Sequence, residues 1–94
     1  MSKEGLILFV DDDPNTRKVA RANLPLDGFE VLVASSGEEA LARLEESDPL
    51  AMVTDLQMPD LDGIALMGRV HARRPSLPVV LVTGSLAAWP EVRK

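Results

Sequence analysis

Four aspartates and a threonine stand where chemistry is possible. Asp11, Asp12 and Asp13 follow the apolar run LILFV (6–10) without a gap, Asp55 follows LAMVT (50–54), and Thr83 ends PVVLVT (78–83) with Gly84 behind it. Three adjacent carboxylates raise one another's cost of ionisation, so they need water, a cation or a helix N-terminus beside them. Oxygen ligands of this kind suit a hard cation such as Mg²⁺, which takes one or two carboxylates and keeps several waters. Phosphoryl transfer needs such an ion together with donors for the equatorial oxygens. Each residue also has an ordinary reading. Aspartates at strand ends serve as loop residues and helix caps, and Thr83 is a normal β-branched strand end.

The elements that must position these groups alternate along the chain. Residues 6–10, 29–34, 50–54 and 78–83 are short, apolar and partly β-branched, which predicts strands. The first, third and fourth are nearly continuous in apolar character, as parallel strands covered on both faces should be. A helix over 14–24 starts with Asp13 as N-cap and Pro14 at the first helical position, and Pro25 should end or kink it before the Asp27-Gly28 turn. A second over 37–47 follows Ser36 and places Ala40, Leu41 and Leu44 on one face. A third over 62–73 carries Ile64, Met67 and Val70 at helical spacing, with Asp62 able to cap. This βαβαβαβ order predicts right-handed crossovers and a doubly wound parallel sheet with helices on both faces. Ligands of such sheets lie at the carboxyl ends of the strands, where Asp11, Asp12, Asp13, Asp55, Thr83 and Gly84 would gather. The segment GSLAAWPEVRK (84–94) reads as a tail with a partial fourth helix that Pro90 interrupts.

Length and charge narrow the function further. The 94 residues suffice for a single domain over 1–94, with a modest core. A formal charge of −5 disfavours non-specific binding to nucleic acid or an anionic membrane. The absence of cysteine excludes disulfides and thiolate metal sites. No apolar stretch approaches the roughly 18 residues of a membrane span, so the expected location is cytoplasmic.

The motifs VDDD (10–13), TDLQMPDLDG (54–63) and VTG (82–84) resemble those of response-regulator receiver domains, the phospho-accepting modules of two-component signalling. The resemblance covers residues 6 to about 86 and implies a flavodoxin-like fold with strand order 2-1-3-4-5. It implies that Asp55 accepts the phosphoryl group, and that Asp11, Asp12 and Asp55 hold Mg²⁺ with the backbone carbonyl of Gln57. It further implies that Thr83 gives its hydroxyl to a phosphoryl oxygen, and that the partner is a histidine kinase or phosphotransfer protein. Met58-Pro59 and Asp62-Gly63 match the loop behind the acceptor. Asp13 is left to cap the first helix. Receivers also carry a lysine at the end of a fifth strand, roughly twenty residues past the Thr83 position. This sequence ends at Lys94, 11 residues after Thr83, and neither Lys94 nor Lys3 has that context. The expectation is therefore a truncated receiver of four strands in the order 2-1-3-4. Its fourth strand (Val79, Val80, Leu81, Val82) would be an open edge, and a second copy would pair there or through a tail carrying Trp89.

Two other functions stay open. Asp11-x-Asp13 after a strand resembles the nucleophile motif of haloacid-dehalogenase-like phosphatases, with Thr83 as their second motif, although that family needs a lysine, a later acidic pair and more chain. A degenerate receiver could instead serve as a dimerisation or docking module without phosphotransfer. The leading expectation is a signalling domain and not an enzyme, beyond its own phosphorylation and dephosphorylation. His71 is expected to be a solvated bystander, and Met52, Met58 and Met67 packing residues.

Overall fold

The apolar run after Gly5 forms a fully buried strand, β1 (Leu6–Val10), at the centre of a computed structural model that describes residues 5–58 and 61–82. The elements that follow are α1 (Pro14–Asn23), β2 (Glu30–Ala34), α2 (Gly37–Glu46), β3 (Ala51–Asp55), α3 (Gly63–Arg73) and β4 (Val79–Val82). All three strand pairings are parallel and the sheet order is β2-β1-β3-β4, as the resemblance implies. The fold is the flavodoxin-like α/β sheet. Among the described residues no helix is long and apolar enough to cross a membrane.

Side chains alternate across the sheet, so Leu8 and Val10 share one face while Ile7 and Phe9 share the other. Leu8, Val10, Ala34 and Met52 pack with Ala40, Leu41 and Leu44 of α2 and Leu66 and Val70 of α3 in one buried cluster. Met58 and Leu61 pack against it from the loop before α3. Burying each large apolar side chain contributes about 1.5–3 kcal/mol. The second helix buries Ala40, Leu41 and Leu44, the face its periodicity marks.

Local differences from the sequence reading have physical causes. The first α-helix stops at Asn23, and Leu24–Asp27 continue as a 3₁₀ turn. Pro25 fits there because the start of such a turn needs no N–H from it. Gly28 then reverses the chain at φ 89°, a conformation that favours glycine. The core face of α3 is Gly63, Leu66 and Val70, whereas Ile64 is 59% exposed. One residue turns a helix by about 100°, so a face centred on 63, 66 and 70 swings 64 outward. His71 is half-buried and not a bystander. Its Nε2 lies 3.0 Å from the Leu77 carbonyl and ties α3 to the segment entering β4. The fourth strand is less covered than its apolar run suggests, with Val80 45% exposed. Thr83, Gly84, Trp89, the partial fourth helix and the Pro59 of Met58-Pro59 lie outside the described residues.

Candidate functional site

Register decides which groups meet. Val10 stands opposite Thr54 on β3, and Asp55 stands opposite Val82 on β4. The ladders run on past the strands, with Asp11 N–H donating to the Ala34 carbonyl (3.1 Å) and Leu56 N–H to the Val82 carbonyl (2.9 Å). Parallel strands of matched length therefore finish at one edge, and Asp11, Asp12 and Asp55 finish there together. One carboxylate oxygen from each lies within 4.8 Å of the other two. Asp55 is the last residue of β3 itself, one place further than the apolar run suggests, because its pairing with β4 extends the strand.

The third opening aspartate goes elsewhere. Asp13 caps α1, its Oδ1 accepting from Asn15 N–H (2.9 Å) and its Oδ2 from the Thr16 hydroxyl (3.2 Å). The row of like charges is thus divided between a strand-end cluster and a helix N-terminus. Asp62 caps α3 in the same way, accepting from Ala65 N–H at 2.8 Å.

Within the cluster, Asp11 is only 6% exposed while Asp12 is exposed and Asp55 half-buried. Burial pushes the Asp11 carboxyl above the ordinary carboxylate value, and the charges of Asp55, Asp12 and Asp13 add to this. The Asp13 N–H, which donates to Asp11 Oδ1 at 2.9 Å, pulls the other way without prevailing. Among the described residues, no ion pair involves any of the three: the pairs are Arg43–Glu39, Arg73–Glu45 and Arg74–Asp48. Like charges gathered on a semi-buried edge, with no ion-pair partner among the described residues, attract a cation. An all-oxygen set of three carboxylates has the hardness that Mg²⁺ requires, and Asp12 and Asp55 keep water access. Gln57 lies in the loop beyond β3 and its N–H donates to Asp55 Oδ1 at 3.2 Å.

Two further residues support the site, Arg17, which has little signature in the sequence, and Gly63, which the resemblance names in Asp62-Gly63. Arg17 donates from Nη1 to the Asp11 carbonyl at 2.8 Å, tying the end of β1 to α1. An arginine one turn into the helix that follows a strand-end aspartate is the only sequence cue. Gly63, at the start of α3, donates its N–H to the Leu56 carbonyl at 2.9 Å. A pocket of about 330 Å³ opens elsewhere, at the amino-terminal end of β3 and β4 beside Asp48, Leu50 and Leu77. Arg74 lines it, with Nη2 donating to the Leu44 and Ser47 carbonyls and Nη1 to Asp48.

Known proteins resemble this chain in sequence and fold. Residues 7–90 match the profile of the response regulator receiver domain. The C4-dicarboxylate transport transcriptional regulatory protein DctD of Rhizobium meliloti is 39% identical over 84 residues, 89% of this chain and 18% of that protein. An uncharacterised 14.6 kDa protein of Leptolyngbya boryana is 43% identical over 79 residues, 82% of this chain and 60% of that one. The chain thus spans a minor part of the first relative and under two thirds of the second. The crystal structure of the response regulator TrrA of Thermotoga maritima, in complex with Mg²⁺-BeF, superposes with a TM-score of 0.80 at 28% identity, covering 93% of this chain and 76% of that one. With its profile match spanning nearly the whole sequence and its parallel sheet ordered β2-β1-β3-β4, this chain belongs to the response regulator receiver domain family.

Proposed function

We propose that this chain is a phospho-accepting module that takes a phosphoryl group on Asp55 from a phosphohistidine of a histidine kinase or phosphotransfer protein. The observation that carries the reading is the meeting of Asp11, Asp12 and Asp55 oxygens within 4.8 Å. An Asp55 carboxylate oxygen forms a bond to phosphorus as the N–P bond breaks, and the bonding pair stays with the departing imidazole. Gln57 N–H holds one Asp55 oxygen and limits the carboxylate's rotation. Asp11, anchored by Asp13 N–H and by Arg17, stands beside the acceptor with Asp12 to bind Mg²⁺, and the Gln57 carbonyl supplies a further ligand. Held by these residues, Mg²⁺ would supply positive charge against the charge that develops on the transferring oxygens. The family resemblance assigns to Thr83 the role of giving its hydroxyl to one of those oxygens. The module is a signalling domain whose chemistry is confined to its own phosphorylation and dephosphorylation, and a kinase partner puts it in the cytoplasm.

The test is incubation with acetyl phosphate and Mg²⁺, followed by intact mass. One phosphoryl group per chain is expected, with none in Asp55→Asn and none in EDTA. Label that persists in Asp55→Asn would reassign the acceptor.

One observation favours a second copy of the chain as a further partner. Val80 is 45% exposed on β4, which among the described residues pairs only with β3. Two chains joined along β4 would bury it and extend the sheet. Light scattering after size exclusion should report a dimer that Val80→Lys dissociates, and a monomer at high micromolar concentration contradicts this.

A further inference from the structure

The peptide that follows Asp55 is held on every side. Its N–H, from Leu56, donates to the Val82 carbonyl at 2.9 Å, and its carbonyl, from Asp55, accepts from the hydroxyl of fully buried Thr54 at 3.2 Å. The next carbonyl, of Leu56, accepts from Gly63 N–H at 2.9 Å. The first residue of α3 thus rests on the backbone that carries the acceptor. A Cβ at Gly63 would lie 2.5 Å from the Asp55 carbonyl oxygen, 3.0 Å from Leu56 Cα and 3.1 Å from Leu81 Cδ2. The first two are backbone atoms that cannot swing aside, and their hydrogen bonds to β4 and Thr54 oppose any shift.

Resting on the proposed role of Asp55, we propose that Gly63 is a positioning residue for phosphoryl transfer: its lack of a side chain seats α3 directly on the Asp55–Leu56 peptide and keeps the acceptor carboxylate beside Asp11 and Asp12. Gly68, in the same helix, supplies the contrast, since a Cβ there meets nothing within 4 Å. An alanine at 68 adds a methyl group to α3 without touching the site. An alanine at 63 must move either the helix or the peptide, and with the peptide goes the carboxylate.

The experiment compares the full chain with Gly63→Ala, Gly68→Ala and Gly63→Ala/Leu81→Ala, at a temperature where thermal melts show each folded. Phosphorylation by acetyl phosphate at saturating Mg²⁺ should slow about 10²-fold in Gly63→Ala, the scale for a displacement near 1 Å. Gly68→Ala should stay within about twofold of wild type, a margin far inside that displacement effect. The double variant should not recover, because the clash with the Asp55 carbonyl remains after Leu81 is trimmed. A folded Gly63→Ala with the wild-type rate, or recovery in the double variant, overturns the proposal. Backbone NMR separates this from failure of the functional reading. If wild type takes up no phosphoryl group, the proposed function falls. Gly63→Ala must still displace the Asp55 and Leu56 amide resonances, and unmoved resonances overturn the positioning role. Should Gly63→Ala not fold, a Mg²⁺ titration of wild type decides: the Gly63 amide shifts together with Asp55 while Gly68 stays, and an unmoved Gly63 overturns the proposal.

Discussion

Replacing Asp11 by asparagine should make the protein more stable and at the same time blind to Mg²⁺. Asp11 is 6% exposed, and one of its carboxylate oxygens lies within 4.8 Å of one from Asp55. At an effective dielectric of about 20, two unit charges at that distance repel by roughly 3.5 kcal/mol. Asp55 is half-exposed, so solvent screening reduces this to about 1–2 kcal/mol. Asparagine keeps an oxygen for the Asp13 N–H, but a neutral acceptor bonds more weakly than a charged one and returns up to about 1 kcal/mol. The net gain is on the order of 1 kcal/mol, which in a domain of this size raises Tm by about 4–8 °C. Mg²⁺ should stabilise wild type alone. If wild type binds it at roughly 1 mM, 10 mM Mg²⁺ adds about 1.4 kcal/mol to wild type and nothing to Asp11→Asn. Thermal melts in EDTA and in 10 mM Mg²⁺ (a concentration set by that mass-action estimate) check both statements. A lower Tm for Asp11→Asn in EDTA would refute the claim that repulsion dominates at this site. An undiminished Mg²⁺ response in Asp11→Asn would remove Asp11 from the ligand set.

Three further outcomes follow from the caps and the core. Asp13→Ala removes the α1 cap and should cost about 1 kcal/mol while the Mg²⁺ response of Tm survives, separating the third aspartate from the first two. Glu39 accepts from the Ser35 N–H and hydroxyl, chiefly the N–H, and this holds its carboxyl below the ordinary carboxylate value. A lowered carboxyl binds fewer protons folded than unfolded, so its stabilisation is present above the ordinary value and lost as pH falls through the folded one. Urea melts on either side of that window should show wild type losing its advantage over Glu39→Gln on acidification, and a difference that grows in acid would contradict it. Leu66→Ala, at a fully buried position between α3 and the sheet, should cost about 2–5 kcal/mol in the same melts, and a cost below 1 kcal/mol would mean the core is not packed as described.

The fold was legible because its signals are local. Four apolar runs and three capped helical stretches define the element order, and short connections leave a parallel sheet as the way to bury them. Boundaries were less legible where a tertiary partner sets them. Asp55 counts as strand because it pairs with Val82 of β4 and the following Leu56 N–H donates to the Val82 carbonyl, which no local pattern reports. The spacing marks Ile64 as inward although it is exposed, since the buried glycine at 63, where a Cβ would lie 2.5 Å from the Asp55 carbonyl oxygen, contributes no hydrophobic signal. His71 looked like a solvated helix residue because its partner, the Leu77 carbonyl, belongs to backbone and leaves no trace in residue type.

The site divides in the same way. Carboxylates announce themselves: Asp11, Asp12 and Asp55 stand at the ends of two apolar runs, and the parallel register then brings them together. What holds them is backbone chemistry, and side-chain identity reveals it only indirectly. Asp13 N–H fixes the Asp11 carboxylate, Gln57 N–H fixes Asp55, and Arg17 holds a carbonyl rather than a charge. Each of these contacts depends on where a peptide unit sits, and that depends on the seating of α1 and α3 against the sheet. A substitution at Arg17 should therefore leave the three ligand oxygens chemically intact and still weaken Mg²⁺ binding, because the end of β1 loses its tie to α1. Arg17→Gln tests this with a sign that separates two roles. If Arg17 acted mainly as a nearby positive charge, removing it would tighten Mg²⁺ binding; as a tether, its loss weakens it. Isothermal titration of the two proteins with Mg²⁺ reads the sign directly, and tighter binding by Arg17→Gln would sink the tether.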